Sequence, residues 1–438
     1  MFLRRSAAAL AASAVLCAVA APAALADASS APKDPSSGAG KLPDGRGLYG
    51  KADPKFDGVW RQSVALLALD AAGATPAPEA VDWLAGQQCA DGSFTAYRAD
   101  TGKECDPKKT PGDTNATGVA VQALSAVGGR SAAVKKAVDW LESAQNEDGG
   151  WGYTSGSPSD ANSVSVVIGA LAAAGRDPGK TVKEGKTPYD ALLSFQLGCD
   201  AKVTKGTEDA KKGQFGAFAY QPGKDGTLAP NDDATAAAAL AGLGEGLLVS
   251  AKGSNSALTP LTCDKDGDGD IGDGPEKAAG AGAAYLASVL KKNGGHLDSV
   301  LPGAEGQPDY ANTADAVVAL AAGGHRDEAK KPLGWLRENL SKWDKADDDP
   351  AAIGGLMLAV HATGGDAATL GGTDLLKRLN ATGPRPAKMP DASDSAKSDE
   401  GEGDGGGTVL FWSMIGAGLA AGAGIGIMLS GRRKRQGL

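Results

Sequence analysis

The chain has no basic excess. Lys and Arg total 44 against 53 Asp and Glu, a net charge of −9 over 438 residues, which argues against a nucleic-acid binder, since that needs a basic face. The balance describes an anionic, soluble chain and says little more. Alternating β-branched runs between turn residues are nearly absent, which leaves little room for strands. Cysteine is scarce as well, 5 in all, and Cys17 lies inside an apolar N-terminal stretch that reads as a cleaved signal. The remaining four, Cys89, Cys105, Cys199 and Cys263, are an even number in an exported chain, which favours disulfides over metal binding or catalysis. A Cys89–Cys105 bridge would close one loop and Cys199–Cys263 would tie two insertions together, although other pairings fit the sequence too.

Both ends carry targeting signals. Residues 1–26 read as a signal peptide: Arg4 and Arg5, an apolar region from Ala7 to Val19, and a small-residue cleavage site at Ala24-Leu25-Ala26. Residues 27–47 form a flexible leader rich in Pro, Ser, Gly and Asp. Residues 381–407 are an acidic Ser/Gly linker of the composition that stays disordered. Residues 408–430 then run for 23 positions without a charge, followed by Arg432-Arg433-Lys434-Arg435. A helix of that length spans a hydrocarbon core of roughly 30 Å, and the basic tail, residues 431–438, should stay cytoplasmic. The expected location is a cell membrane, crossed once, with the globular part outside.

What the sequence has in quantity is repetition, which sets the fold before any other feature. Ala137-Val138-Asp139-Trp140-Leu141 leads to Gln145 and then Asp148-Gly149-Gly150-Trp151-Gly152-Tyr153. An earlier copy runs from Ala80-Val81-Asp82-Trp83-Leu84 through Gln88 to Asp91-Gly92-Ser93-Phe94 and Tyr97. Degenerate copies lie near Asp190–Gln196, Ala284–His296, Leu333–Leu336 and Asp374–Asn380. Alternating with them are segments that open on polar heads suited to helix N-caps, such as Asp113-Thr114-Asn115 and Asp160-Ala161-Asn162. Weaker heads stand at Asn231-Asp232-Asp233, Asp309-Tyr310-Ala311-Asn312 and Asp347-Asp348-Asp349, and Gly58–Leu69 supplies a first member without an Asp head. Beyond their heads these helices are apolar all round and so must be buried on every side. The Trp-bearing helices are amphipathic. Six pairs of one buried and one amphipathic helix satisfy both patterns only when an inner ring closes inside an outer one. An open superhelix would give both sets a wet face.

The Gln-(x)₅-Trp/Phe element with its Asp-Gly-Gly turn resembles the QW motif of the terpenoid cyclase and protein prenyltransferase superfamily. The resemblance covers about residues 56–380 and implies an all-α fold, an α/α-toroid of about six helix-pair repeats over residues 48–380, with insertions at about 198–230 and 251–274. It does not carry the catalytic residues over. Triterpene cyclases of this superfamily use Asp-x-Asp-Asp, which is missing. Prenyltransferases hold zinc with Asp, Cys and His, whereas the 3 histidines here are His296, His325 and His361. Thioester domains need Gly-Cys-Gly-Glu-Gln, and Gly198-Cys199-Asp200 departs from it. In its logic the chain looks closest to the helical domains of secreted vitamin B12 carriers.

The expected activity is therefore non-catalytic binding of a small molecule, a corrinoid or an isoprenoid, at an aromatic rim, with transfer to a membrane transporter as a further expectation. The alternatives are a cyclase- or prenyltransferase-like enzyme using Asp233 or Asp348, and a surface module for protein interaction. The Gly-rich turns should gather at one rim of the ring and bring together Tyr97, Trp151, Tyr153, Phe218 and Tyr220 with the polar heads Asp113, Asn115, Asp160, Asn162 and Asp233. Aromatic faces and a few oriented polar groups around a concavity are what such a site requires. Separately, Asp264-Lys265-Asp266-Gly267-Asp268-Gly269-Asp270-Ile271 matches the first eight positions of a calcium loop, with Ca²⁺ oxygen ligands from Asp264, Asp266 and Asp268 and a further carboxylate at Asp270. Pro275 stands where the bidentate Glu should be, and the alternative is an acidic, disordered insertion.

Overall fold

Six apolar helices pack side by side into a closed circle, and a second set lies outside them. The computed structural model describes residues 47–202, 213–253, 255–263 and 274–390. The signal, leader, linker, membrane-helix and calcium-loop expectations fall wholly or largely outside those residues. Among the described residues, no helix is long and apolar enough to cross a membrane. In chain order the helices are α1 (Gly58–Ala71), α2 (Pro78–Gly86), α3 (Thr114–Val127), α4 (Ser131–Ser143), α5 (Ala161–Ala173), α6 (Pro188–Ser194) and α7 (Asp232–Gly242). They continue with α8 (Pro275–Lys292), α9 (Tyr310–Ala322), α10 (Arg326–Asn339), the single-turn α11 (Lys345–Asp348), α12 (Pro350–Ala362) and α13 (Leu375–Thr382).

Helix α1 packs on α3, α3 on α5, α5 on α7, α7 on α9, α9 on α12, and α12 returns to α1. Each inner helix also packs against the outer helix that follows it: α2, α4, α6, α8, α10 and α13. The composition explains the division. α5 buries Val164, Val167, Ile168 and Leu171 around its circumference, whereas α4 buries only Ala137, Val138 and Leu141 along one stripe. Pro78, Pro188, Pro275 and Pro350 open α2, α6, α8 and α12, where the missing N–H costs nothing and the fixed φ suits the first turn.

The closing contact joins the two ends of the ring. Tyr49 donates its hydroxyl to Pro384 O at 2.7 Å, and Gly50 N donates to Thr382 O at 2.8 Å. Arg61, 1 % exposed, holds the N-terminal arm by donating to Tyr49 O, Ala52 O and Asp57 Oδ1. Thr75 pairs with Lys388, so residues past 380 belong to the folded unit. Leu379-Asn380-Ala381-Thr382-Gly383 lies mostly in α13, with Leu379 fully buried.

The repeated glutamine and glycine are the joints between repeats. Gln88 Nε2 donates to Gly92 O of its own turn at 3.0 Å and to Ala133 O of α4 at 2.8 Å. Gln196 does the same to Gly216 O at 3.1 Å and to Ala278 O of α8 at 2.9 Å. Gln145 donates to Gly149 O at 2.8 Å and reaches Thr181 O at 3.5 Å. Gly149 sits at φ 86°, and a Cβ there would come within 2.3 Å of Thr187 O at the start of α6. Only glycine meets both conditions.

Among the described residues, two short hairpins interrupt the helices. β1 (Leu297–Asp298) pairs antiparallel with β2 (Pro308–Asp309), with Leu297 opposite Asp309, and β3 (Thr369–Leu370) pairs with β4 (Thr373–Asp374). Cys89–Cys105 and Cys199–Cys263 are the disulfides, with Cα separations of 5.7 and 5.5 Å.

Candidate functional site

The inner helices present their N-terminal ends to one concavity of about 500 Å³, lined by the starts of α1, α3, α9 and α12. The caps explain its polarity. Asp113 accepts from Ala116 N at 2.8 Å, Asp309 from Asn312 N at 3.0 Å, and Asp349 from Ala351 N at 2.8 Å. Each satisfies an otherwise orphaned backbone donor and complements the positive end of the helix dipole. Closing the ring therefore gathers carboxyls. Asp57 precedes α1, which the sequence reading treats as lacking an Asp head, but it makes no capping bond and instead pairs with Arg61 at 3.1 Å.

Aromatic faces complete the wall. Trp60 comes from α1, Tyr153 from the turn before α5, Tyr310 from the start of α9 and Trp343 from the segment before α11. Tyr310 and Trp343 stack with ring centres 5.2 Å apart. Behind Tyr310, Trp335 lies at 5.0 Å and His296 stacks on Trp335 at 4.5 Å. The β1–β2 hairpin contributes Ser299, Leu301 and Gln307.

The expected site residues divide into three groups. Asp113, Asn115 and Tyr153 line the cavity. Asp160, Asn162, Tyr220 and Asp233 form an adjoining polar cluster at the starts of α5 and α7: Asn162 Nδ2 donates to Asp233 Oδ2 at 2.6 Å, and Asp160 accepts from the Ser163 amide and hydroxyl at 2.8 Å each. Tyr97, Trp151 and Phe218 do not line the cavity. Tyr97 stacks on Trp83 at 6.4 Å. Trp151, 1 % exposed, donates its indole N–H to Leu141 O at 2.7 Å, and Phe218 is fully buried between repeats. The physical reason is spacing. The motif's second aromatic points back under its own turn, and only the residue two positions later, as at Tyr153, reaches the mouth.

Burial raises the carboxyls throughout this region. Burial pushes the Asp160 carboxyl up to about 6, against the Ser163 bonds that lower it. Asp113 and Asp233 are raised for the same reason, opposed by Ala116 N and by Asn162 respectively. Asp232 is raised by burial while it accepts from Tyr285 OH at 2.8 Å.

Sequence reasoning missed Trp60, Tyr310 and Trp343 of the wall, and it missed Asp315, in the second turn of α9. Burial, then the charges of Asp233 and Asp309, push it up to about 8. It lines the cavity, and its remaining accessible surface lies there. A signal existed: a lone acid inside Tyr310–Ala322, a helix otherwise apolar past its polar head. Asp348, the other acid considered for catalysis, is exposed at the end of α11. Among the described residues no three His, Cys, Asp or Glu side chains are grouped to hold a metal.

Residues 113–175 match the family model of the squalene-hopene cyclase C-terminal domain. That stretch covers α3, α4 and α5 with the most regular copy of the motif, and the ring of inner helices with outer partners is similar in plan to the α/α-toroid of the terpenoid cyclase superfamily. Similar solved structures include ent-copalyl diphosphate synthase from Streptomyces platensis, with 16 % identity, TM-score 0.43, 70 % of this chain covered and 51 % of that one. A protein from Actinoplanes also matches, with 16 % identity, TM-score 0.31, 69 % of this chain and 99 % of that one. The chain thus spans about half the length of the synthase. No curated protein sequence matches it.

Proposed function

We propose that this protein is an exported, membrane-tethered toroid that captures a small molecule in the cavity at the inner-helix N-termini, without transforming it. The observation that carries the reading is the wall itself: Trp60, Tyr310 and Trp343 facing a concavity of about 500 Å³ ringed by helix-cap carboxyls. That volume falls within the range for drug-sized ligands, so an isoprenoid would enter whole and a corrinoid only in part. Export is supported by the signal-like residues 1–26 and by two disulfides, which suit an oxidising compartment. The tether would be residues 408–430, and a neighbouring membrane transporter would receive the ligand. Thermal-shift screening of the full-length chain in detergent against corrinoids, isoprenoids, glycans and small amines tests this. Stabilisation by one class supports it, and a flat response to all four counts against it.

Asp315 favours a second reading, a cyclase-like enzyme. Its carboxyl keeps its proton near neutral pH, as a general acid requires. It would pass that proton to an alkene carbon of a polyprene, and the resulting cation would sit among the aromatic faces until a C–H proton was returned to the carboxylate. Product formed from squalene and abolished by Asp315→Asn would establish this reading. An inert wild-type chain would remove it.

A further inference from the structure

The cavity's inventory of polar groups is lopsided. Its described lining includes six aspartates (Asp53, Asp57, Asp113, Asp309, Asp315 and Asp349) and a single base, Lys345. Helix caps account for Asp113, Asp309 and Asp349, and Arg61 for Asp57. Nothing in the helix architecture requires Asp315. It lies one turn inside α9, past the cap, and among the described residues it has no hydrogen-bond partner. A second group is also unmatched. Asn115, 5 % exposed and on the wall, has a side-chain oxygen that meets no donor. A buried acceptor left without a donor is destabilising, and such groups in a cavity point to a ligand that supplies the missing hydrogen. The aromatic faces add a preference of the same sign, because a ring face attracts cations within about 6 Å.

We infer that the ligand of this cavity is an organic cation carrying N–H groups, of the protonated amine class, held by the carboxyls of Asp315 and Asp349 beside the aromatic wall of Trp60, Tyr310 and Trp343. The inference rests on the binding reading above and names its ligand chemistry. Hydrocarbon chains need the rings but not the acids, and a phosphorylated ligand would meet carboxyls of its own sign. Asp315, raised first by burial and then by the charges of Asp233 and Asp309, is a group that an incoming cation would relieve. Primary amines match better than quaternary ones, since only they supply hydrogens.

The test is isothermal titration of the full-length chain in detergent with spermidine, putrescine and tryptamine, each beside its fully N-acetylated, neutral counterpart. An amine bound at least tenfold more tightly than its acetylated form supports the inference, provided Asp315→Asn weakens it by tenfold or more. Asp349→Asn is the companion variant. Asn caps a helix as well as Asp does, so its melting temperature should hold while amine affinity falls. Equal binding of amine and acetylated forms overturns the inference, and so does a neutral polyprene or corrinoid binding where every amine fails. If no molecule of any class binds, the binding reading falls with it.

Discussion

Trp151 and Trp60 belong to the same residue type and do opposite work. Trp151 fills the space under its turn and donates to Leu141 O, so Trp151→Ala should cost about 3–5 kcal/mol of stability, as for other buried aromatics. Chemical denaturation measures this, and ligand affinity of the folded fraction should not change. Trp60 is half-buried and faces the cavity. Trp60→Ala should lower ligand affinity severalfold while costing less stability. Asp315 makes a prediction with a defined sign. Its folded pKa, about 8, stands above the ordinary 3.8, so the folded state keeps a proton that the unfolded chain releases. Stability therefore falls as pH rises from about 4 to about 8. Asp315→Asn should flatten that slope, leaving the part due to the other raised carboxyls, and raise stability at pH 8 by about 2 kcal/mol, a figure discounted from about 1.4 kcal/mol per unit because the group opens onto the cavity. Melting curves at pH 5 and pH 8 would show it, and an unchanged slope would contradict the assignment.

At the scale of the element, the recurring unit is a helix pair with a turn that reaches into the next pair. Gln145 and Gly149 sit at one such joint. Gln145→Ala leaves Gly149 O without its donor and should cost about 1–3 kcal/mol. Gly149→Ala forces a Cβ against Thr187 O and should cost at least as much. Hydrogen exchange should quicken first in α6, across the joint, and uniform loss of protection throughout the chain would argue against so local a role. This level was the most legible in the sequence. The Gln-to-aromatic spacing, the Asp-Gly-Gly turn and the change from all-apolar to amphipathic helices are local patterns, and local patterns determine local structure. The disulfides formed, Cys89–Cys105 and Cys199–Cys263, are the two pairings named from the sequence, which left others open. What could not be read was the direction each aromatic faces. Trp151 and Tyr153 differ by two positions, and only the packed turn decides which is core and which is wall. Asp315 was hidden for another reason: a lone acid in an apolar helix reads as an irregularity until ring closure shows that the helix has a wet side there.

Across the whole molecule, stability is shared between the ring contacts and the cross-links. The Cys199–Cys263 bridge closes a separation of 64 residues, against 16 for Cys89–Cys105. In the chain-entropy account the longer loop contributes more, about 4 kcal/mol against about 3. Cys199→Ser with Cys263→Ser should accordingly lower the melting temperature more than the pair Cys89→Ser and Cys105→Ser. Calorimetry of the two variants gives the order directly, and a reversed order would mean that the insertion ending at Cys263 is held by contacts rather than by its bridge.

The seam at Tyr49 and Pro384 has a consequence for how the chain could be rewired. Because the last folded segment lies against the first, the ring has no structural beginning, and the point at which the polypeptide enters it is arbitrary. A circular permutant that joins residue 388 to residue 48 through a short flexible link, and opens instead between the exposed Gly128 and Gly129, keeps every inner-helix neighbour. It should retain the helical circular-dichroism spectrum and melt within a few degrees of the same chain in its native order.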